Sequence, residues 1–470
     1  MNELTALIDF GSTFTKVKAV DTEGRLVAAA QHRTTIDTDV HEGLAAALSS
    51  LEEDIGGPPT RRSACSSAGG GLRVGVVGLV EELTAEAARQ AALGGGARVL
   101  EVIAGGLDGP DAARTLLDAD PDIVLLVGGT DGGDREVLID SAAALAAAGV
   151  AVPVVIAGNV EAQEDAAAAL SGTGATVVTA ANVMPAVDTL APDAARAVIR
   201  DLFITHVIGG KLTGFDPETE DLVRMATPDA ALRGVEILGR TRAEEGLPAG
   251  VILVDIGGAT TDVHSFTVTA PRQGYKHSLL PDAPAARTVE ADLGMRWNAP
   301  GIVDAAREQR LADEEELAEL AEAAHRRAED PGLIAADEGE RDIDRRLAVF
   351  AIATALRRHA GIRRIRLGPD GAVIEQQGRD LTEVTTILIS GGVLAVIGTE
   401  ELRRALELAH EGREDRLLPV EPSLGLDRGG VLTAAGLLSA SERDTARQLV
   451  RRELIEVQEQ ETKEPSNAIA

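Results

Sequence analysis

Two short apolar runs, Leu4-Thr-Ala-Leu-Ile8 and Val251-Ile-Leu-Val254, each stop at an aspartate and a glycine-bearing turn, after which a second run begins. Runs of that length with turn residues directly behind them predict strand, turn and strand in both places. Between the two, short apolar stretches alternate with Ala-rich stretches of helical period: Val74 to Val80, Ala85 to Leu93, Val99 to Ile103, Ala112 to Leu117 and Ile123 to Val127. The alternation continues through Val137 to Ala148, Val152 to Ala157, Glu161 to Leu170 and Thr176 to Val178, which predicts a doubly wound α/β layer. Further on, Thr227-Pro-Asp229 has the form of an N-cap with proline in the first helical turn, and Ala231, Val235 and Leu238 then share one face. Asp313 with Glu316 resembles a capping box ahead of the stripe Leu317, Leu320, Ala321 and Ala324, and a second helix runs through Ile343, Leu347, Phe350 and Thr354. The many charges between residues 313 and 346 are the solvated faces of these helices.

The two turns are copies of one pattern. Asp9-Phe-Gly-Ser-Thr-Phe-Thr-Lys16 returns as Asp255-Ile-Gly-Gly-Ala-Thr-Thr-Asp262. Glycines and small hydroxyl residues let backbone N–H and side-chain O–H groups close around phosphate oxygens, where a larger side chain would intrude. A lone Asp-x-Gly turn is common in hairpins for conformational reasons alone. Two matched copies predict a clamp on one polyphosphate, with Asp9 and Asp255 at the strand ends as candidates for holding Mg²⁺. Lys16 has two readings, a point charge on the terminal phosphate or a strand residue facing solvent. Asp131-Gly-Gly-Asp134 and Gly158-Asn159 follow predicted strands at their carboxyl ends, where open α/β sheets bind ligands, although ordinary capped loops look the same. Ile387-Leu-Ile-Ser-Gly-Gly-Val-Leu394 ends a strand on Gly391 and Gly392, a pair that lets a flat ring approach the backbone, and a helix Glu400 to Ala409 follows. Asp427 to Leu438 forms a helix rich in small residues, suited to close packing on another helix across a hinge; from Ser441 the chain is polar.

With 470 residues the chain predicts two or three domains. Cys65 is the single cysteine, which excludes an intrachain disulfide or a thiolate-rich metal site and points to a reducing, cytoplasmic setting. Met1-Asn-Glu-Leu-Thr lacks a basic leader, and no apolar run approaches the roughly 20 residues of a spanning helix, so no membrane role is expected. A formal charge of −31, from 76 acidic and 45 basic residues, repels nucleic-acid phosphates, and 2% aromatics leave little for base stacking; no nucleic-acid partner is expected. The chain has no P-loop, no G-x-G-x-x-G fingerprint, no G-x-S-x-G elbow and no H-E-x-x-H pair. Asp39-Val-His41 and Asp262-Val-His264 both miss the Asp-x-His-x-x-Gly box of a cobalamin carrier, so bound cobalamin is not expected on this chain. His264 reads as a core or surface residue rather than a ligand.

The order of parts resembles the actin, Hsp70 and sugar-kinase superfamily, and within it the MutL/GlmL family of glutamate mutase accessory proteins. The resemblance runs through Ile8 to Lys16, Leu126-Val-Gly-Gly-Thr-Asp-Gly-Gly-Asp134, Asn182-Val-Met-Pro185, Val254 to Asp262 and Asp292-Leu-Gly-Met295. It implies an α/β, two-domain actin-like (ribonuclease H-like) ATPase fold with an ATP cleft between the domains and an additional α/β segment in the first half. The expected division is 1–226, then 227–440 with a helical insertion at about 300–360, then a polar tail 441–470. It further implies an ATP-dependent reactivating chaperone for an adenosylcobalamin-dependent mutase or aminomutase, with ATP and Mg²⁺ as cofactors. Carried over residue by residue, Asp9, Gly11, Ser12 and Thr13 form the first phosphate loop, joined by Lys16; Asp255, Gly257, Gly258, Thr260 and Thr261 form the second; Gly391 and Gly392 lie by the adenine. The superfamily's water-activating carboxylate between the loops has no clear counterpart, and Asp131 is the candidate beside Asp255, which implies slow hydrolysis or a nucleotide switch.

Rival readings are a small-molecule kinase on the same fold, a non-catalytic subunit of the mutase itself, an activator of an iron–sulfur dehydratase and an actin-like filament. A kinase needs an acceptor pocket with a placed base, and none is evident. A cluster shared across a dimer needs two cysteines per chain, against which Cys65 stands alone. A filament needs a self-complementary surface, and a homodimer is an assembly the sequence allows.

Overall fold

The computed structural model describes residues 3–11, 13–34, 40–67, 72–187, 189–208, 222–268, 275–276, 283–368 and 371–456. Two five-stranded sheets share one strand order. In the first, β1 (Leu4–Phe10), β2 (Phe14–Asp21), β3 (Leu26–Arg33), β4 (Arg61–Ser66) and β10 (Val223–Ala226) lie in the order β3-β2-β1-β4-β10. The first three form an antiparallel meander, and β4 and β10 add on parallel to β1. In the second, β11 (Gly250–Ile256), β12 (Thr261–Phe266), β14 (Ala285–Glu290), β17 (Val384–Gly391) and β18 (Ser423–Leu426) repeat it as β14-β12-β11-β17-β18, again a meander with two parallel additions. The repeat seen in two eight-residue turns therefore extends to whole sheets. A mixed α/β chain of two such halves is the architecture the resemblance implied.

Between β4 and β10 the chain builds a third, all-parallel sheet in the order β6-β5-β7-β8-β9, from β5 (Arg73–Gly78), β6 (Arg98–Ala104), β7 (Ile123–Leu126), β8 (Val154–Ile156) and β9 (Val177–Thr179). Helices α2 (Glu86–Gly94), α3 (Gly109–Asp118), α4 (Glu136–Ala147) and α5 (Gln163–Ala169) make the crossovers. The strands β7 and β8 are buried along their whole length, as expected where helices cover both faces of a parallel sheet. Among the helices between β14 and β15 (Ile362–Gly368), α9 (Glu314–Glu329) starts at the foreseen cap: Asp313 accepts a bond from the Glu316 N–H at 2.9 Å. The next, α10 (Glu338–His359), is held to it by Arg327, which is fully buried and bonded to Asp344 and Glu340, both at 2.7 Å.

The halves meet where two helices cross. Helix α7 (Thr227–Glu244) runs from β10 into β11, and α12 (Val431–Leu438) follows β18 and packs back on β1 and β4. At the crossing, a Cβ on Gly436 would fall 1.7 Å from the Ala230 carbonyl oxygen, and one on Gly234 1.9 Å from that of Leu432. Only glycine allows that approach. Buried Val235, Leu238, Leu432 and Ala435 form the apolar seam around it. Among the described residues no helix is long and apolar enough to cross a membrane.

Candidate nucleotide site

The carboxyl ends of β1 and β11 carry Asp9 and Asp255 in equivalent registers. Asp9 lies opposite Lys16 and beside Cys65; Asp255 lies opposite Asp262 and beside Ser390. The turns close by the same bond, from the Gly11 N–H to the Phe14 carbonyl at 3.1 Å and from the Gly257 N–H to the Thr260 carbonyl at 2.9 Å. A Cβ on Gly11 would lie 2.7 Å from that carbonyl oxygen, so the first turn requires glycine there. The turns also face each other: a Cβ built on Gly258 would touch the Thr13 hydroxyl at 3.6 Å. Ser12 lies outside the described residues.

The second turn is braced from behind by the segment that contains Asp292-Leu-Gly-Met295. Met295 N–H donates to the Gly257 carbonyl, Arg296 and Trp297 N–H groups to that of Gly258, and the Asn298 amide to that of Ala259. With its carbonyls directed at the brace and the Gly257 N–H spent on closing the turn, the Gly258 and Ala259 N–H groups are the ones left for an anion. Thr261 belongs to the brace as well, since it is fully buried and its hydroxyl donates to the Leu293 carbonyl at 2.6 Å. Thr260 donates instead to Asp262 at 3.1 Å.

Both strand-end carboxylates are anchored through one oxygen. Asp9 Oδ1 accepts from the Thr227 hydroxyl at 2.6 Å, and Asp255 Oδ1 from the Ser390 hydroxyl at 3.0 Å. The Oδ2 of each has no hydrogen-bond partner among the described residues. Thr227 was expected as a helix cap, but α7 starts with no side-chain cap bond because its hydroxyl is committed to Asp9. Burial raises the Asp255 carboxyl to about 6, against the pull of Lys16 and the Ser390 bond, with Asp262 and Asp9 adding repulsion. Those mutual effects place Asp9, Lys16 and Asp255 within electrostatic reach of one another. Lys16 also lies near enough to Asp427 to lower its carboxyl. Asp427 in turn caps α12 through the Val431 and Leu432 N–H groups at 2.6 and 3.0 Å, and Gly430 lies where a Cβ would come 3.2 Å from the Lys18 Nζ.

Gly391 packs hard against this corner. It has a left-handed φ of 103°, and a Cβ there would lie 2.2 Å from the Ile256 carbonyl oxygen and 3.0 Å from Asp255 Oδ1, whereas one on Gly392 would meet open space. Asp131 follows β7 at the carboxyl end of the inserted parallel sheet, a different sheet from those that carry the two turns. Its Oδ1 accepts from the Asn182 amide at 2.9 Å and the Val160 N–H at 3.1 Å, and its own N–H bonds the Pro185 carbonyl. Asn159 joins the same staple through the carbonyls of Gly133 and Asp134. These loops satisfy one another, which also accounts for Asn182-Val-Met-Pro185. His264 is fully buried, and neither ring nitrogen has a partner among the described residues.

A family model described as "MutL protein" matches residues 5–454. The chain belongs to the MutL family. This is the glutamate mutase-type MutL family, not the DNA mismatch-repair protein of that name, and it is the family the motifs implied. A curated MutL relative, "Protein MutL" of Clostridium tetanomorphum, is 35% identical over 464 residues, spanning 96% of this chain and 99% of that protein. Similar solved structures include component A of the (R)-2-hydroxyglutaryl-CoA dehydratase of Acidaminococcus fermentans, with 11% identity, 94% of this chain, 99% of that chain and a TM-score of 0.30. Another is a ROK family glucokinase from Streptomyces griseus in complex with glucose and AMPPNP, with 13% identity, 96% of this chain, 99% of that chain and a TM-score of 0.32.

Proposed function

We propose that this MutL-family chain binds ATP with Mg²⁺ between its two halves and uses the resulting grip as an accessory protein that reactivates an adenosylcobalamin-dependent mutase or aminomutase. The observation that carries the nucleotide part is the meeting of the two matched turns, Thr13 over Gly258, with Asp9 and Asp255 around the same cleft. The donor set suits Mg²⁺: two carboxylates with a spare oxygen each, and no cluster of three or more metal-ligating side chains among the described residues. Mg²⁺ is held by one or two carboxylates with phosphates and retained waters, and it neutralises and orients the phosphate oxygens. The backbone of both turns would wrap the phosphates, Lys16 would add a cation, and the open side of Gly392 would take the ring. In this reading residues 1–226 and 227–440 are the two bodies that the nucleotide draws together, with α7 and α12 as the hinge. Asp131, engaged in its own loop staple, supports a slow switch better than rapid hydrolysis.

The test uses the chain's single tryptophan. Trp297 donates its N–H to the Gly258 carbonyl and is 59% exposed, so its fluorescence reports on the second turn. A saturable change with MgATP, lost in Asp9→Asn and Asp255→Asn, is expected and would be followed by an ATP-dependent reactivation assay with a mutase stalled by damaged cobalamin. No saturable signal, confirmed by calorimetry, would remove the nucleotide from the proposal; binding without reactivation would remove the partner.

A further inference from the structure

A cavity of about 400 Å³ lies away from the two turns, where the inserted layer meets the second half. Its walls come from α2, from Arg196 on α6 (Asp193–Leu202), from β14, from the end of α10 and from the chain after β16 (Gly371–Gln377). Arg89, Arg196, Arg287, Arg358, Arg379 and Arg416 line it, against Glu86 as the one acidic lining residue. In a chain with 76 acidic and 45 basic residues that is a local reversal of charge. Three of the six are held by close carboxylates: Arg89 by Glu86, Arg287 by Asp262, and Arg358 by Glu290 and Asp292, while Arg379 bonds the Ala283 and Pro284 carbonyls. Arg196 reaches only Asp193, at 3.5 Å, whose carboxylate is 95% exposed, and the recorded bond of the Arg416 side chain goes to the Ala360 carbonyl. The Arg196 Nε and Arg416 Nε donors are buried with no partner among the described residues. Buried donors left unmatched are costly, and native proteins rarely keep them without a use. Gly94 makes the room: a Cβ there would fall 2.4 Å from the Arg196 Nε.

We infer that this cavity is a second ligand site, which takes a phosphorylated small molecule through the forks of Arg196 and Arg416. Guanidinium groups grip phosphate oxygens in pairs, and a low-dielectric cavity concentrates their field. The volume exceeds a single phosphate and falls in the lower range of small-molecule pockets. The field is felt by His359 in the wall, which burial and then the charges of Arg379 and Arg89 push down to about 3. Arg287 connects the site to the nucleotide turn. Its Nη1 donates to the Leu93 and Ala97 carbonyls of the inserted layer, its Nε and Nη2 hold Asp262 Oδ1, and Asp262 Oδ2 carries the Thr260 hydroxyl. An anion that draws on Arg287 loosens its hold on Asp262, so occupancy here is read at the second turn.

Pyrophosphate titrated by calorimetry into the full chain tests the site. The two turns can take the same ion, so the titration is run without Mg²⁺ and also on Asp255→Asn: one ion per chain is expected to remain there, with affinity reduced at least tenfold by adding Arg196→Gln or Arg416→Gln. A tungstate-soaked crystal places the anion without any substitution. The inference is overturned if wild type binds no pyrophosphate, if the arginine variants bind it as wild type does, if citrate binds and pyrophosphate does not, or if tungstate lodges only at the two turns.

Discussion

Asp255→Asn should make the nucleotide-free protein more stable above pH 6 while removing its response to MgATP. Burial raises the folded carboxyl from 3.8 to about 6. A raised carboxyl means that the fold favours the protonated form, so this contribution to stability is complete below pH 3.8 and is lost as the pH climbs through 6. The gap corresponds to about 3 kcal/mol at most. Asp255 keeps an edge in the open cleft, so screening reduces the effect to about 1–2 kcal/mol. Asparagine keeps an Oδ1 for the Ser390 hydroxyl and carries no charge, so it escapes that loss. Urea unfolding of both proteins at pH 5 and at pH 7.5 measures it, since the other carboxylates cancel in the difference. The loss begins at 3.8, so the variant should already exceed wild type by somewhat more than half of this amount at the lower pH, and by the full amount, about 1–2 kcal/mol, at the higher. With MgATP the order should reverse, because only the charged carboxylate gains from the cation. The same pH slope in both proteins would refute the reasoning and mean that Asp255 is ionised at no cost.

Gly436→Ala would stabilise an ordinary helix by up to about 1 kcal/mol, but here it should cost about 2–3 kcal/mol, read by chemical denaturation, because the added methyl meets the Ala230 carbonyl. Thr227→Val removes the 2.6 Å bond to Asp9 without changing shape, and MgATP affinity by calorimetry should fall by about five- to tenfold. Arg327→Met leaves Asp344 with Arg296 and Glu340 with Arg326 as remaining partners, and should lower stability by about 2 kcal/mol by the same unfolding assay, with nucleotide affinity in the surviving fold unchanged.

Parts of the chain announce themselves because local chemistry and final structure agree. The turns at Asp9 and Asp255 carry glycine at the same step and close by the same bond, the alternation from Val74 to Val178 is the parallel layer, and Asp313 caps α9 as its spacing implies. What stayed hidden is set by partners far along the chain. Strand β4 reads Arg61-Arg-Ser-Ala-Cys-Ser66, too polar and too short to stand out, yet it runs parallel to β1 and sets Cys65 beside Asp9. Thr227 carries a helix-start signal so clear that its bond to a residue 218 positions away could not be foreseen. Ser390 sat in plain view before Gly391, and the register of β17 on β11 is what turns it toward Asp255. The arginine cavity draws on segments from residue 86 to residue 416, and the one locally basic stretch, Arg357 to Arg366, supplies only Arg358 of its six arginines.

The duplicated sheets explain why the two aspartates are not equivalent despite equivalent positions. Opposite Asp9 the register sets a lysine; opposite Asp255 it sets Asp262, another acid. Asp9 therefore sits among cations and a threonine anchor, while Asp255 is repelled by a neighbour that is itself tied off by Arg287. If Arg287 lets go, Asp262 becomes a freer negative charge beside Asp255, and the Asp255 carboxyl must rise further or find a cation. Under the proposed nucleotide reading, the Arg287–Asp262 pair sets how strongly the second turn needs a cation, and it does so from the wall of the arginine cavity. The asymmetry lies at one strand position: where the first turn has Lys16 opposite its aspartate, the second has Asp262.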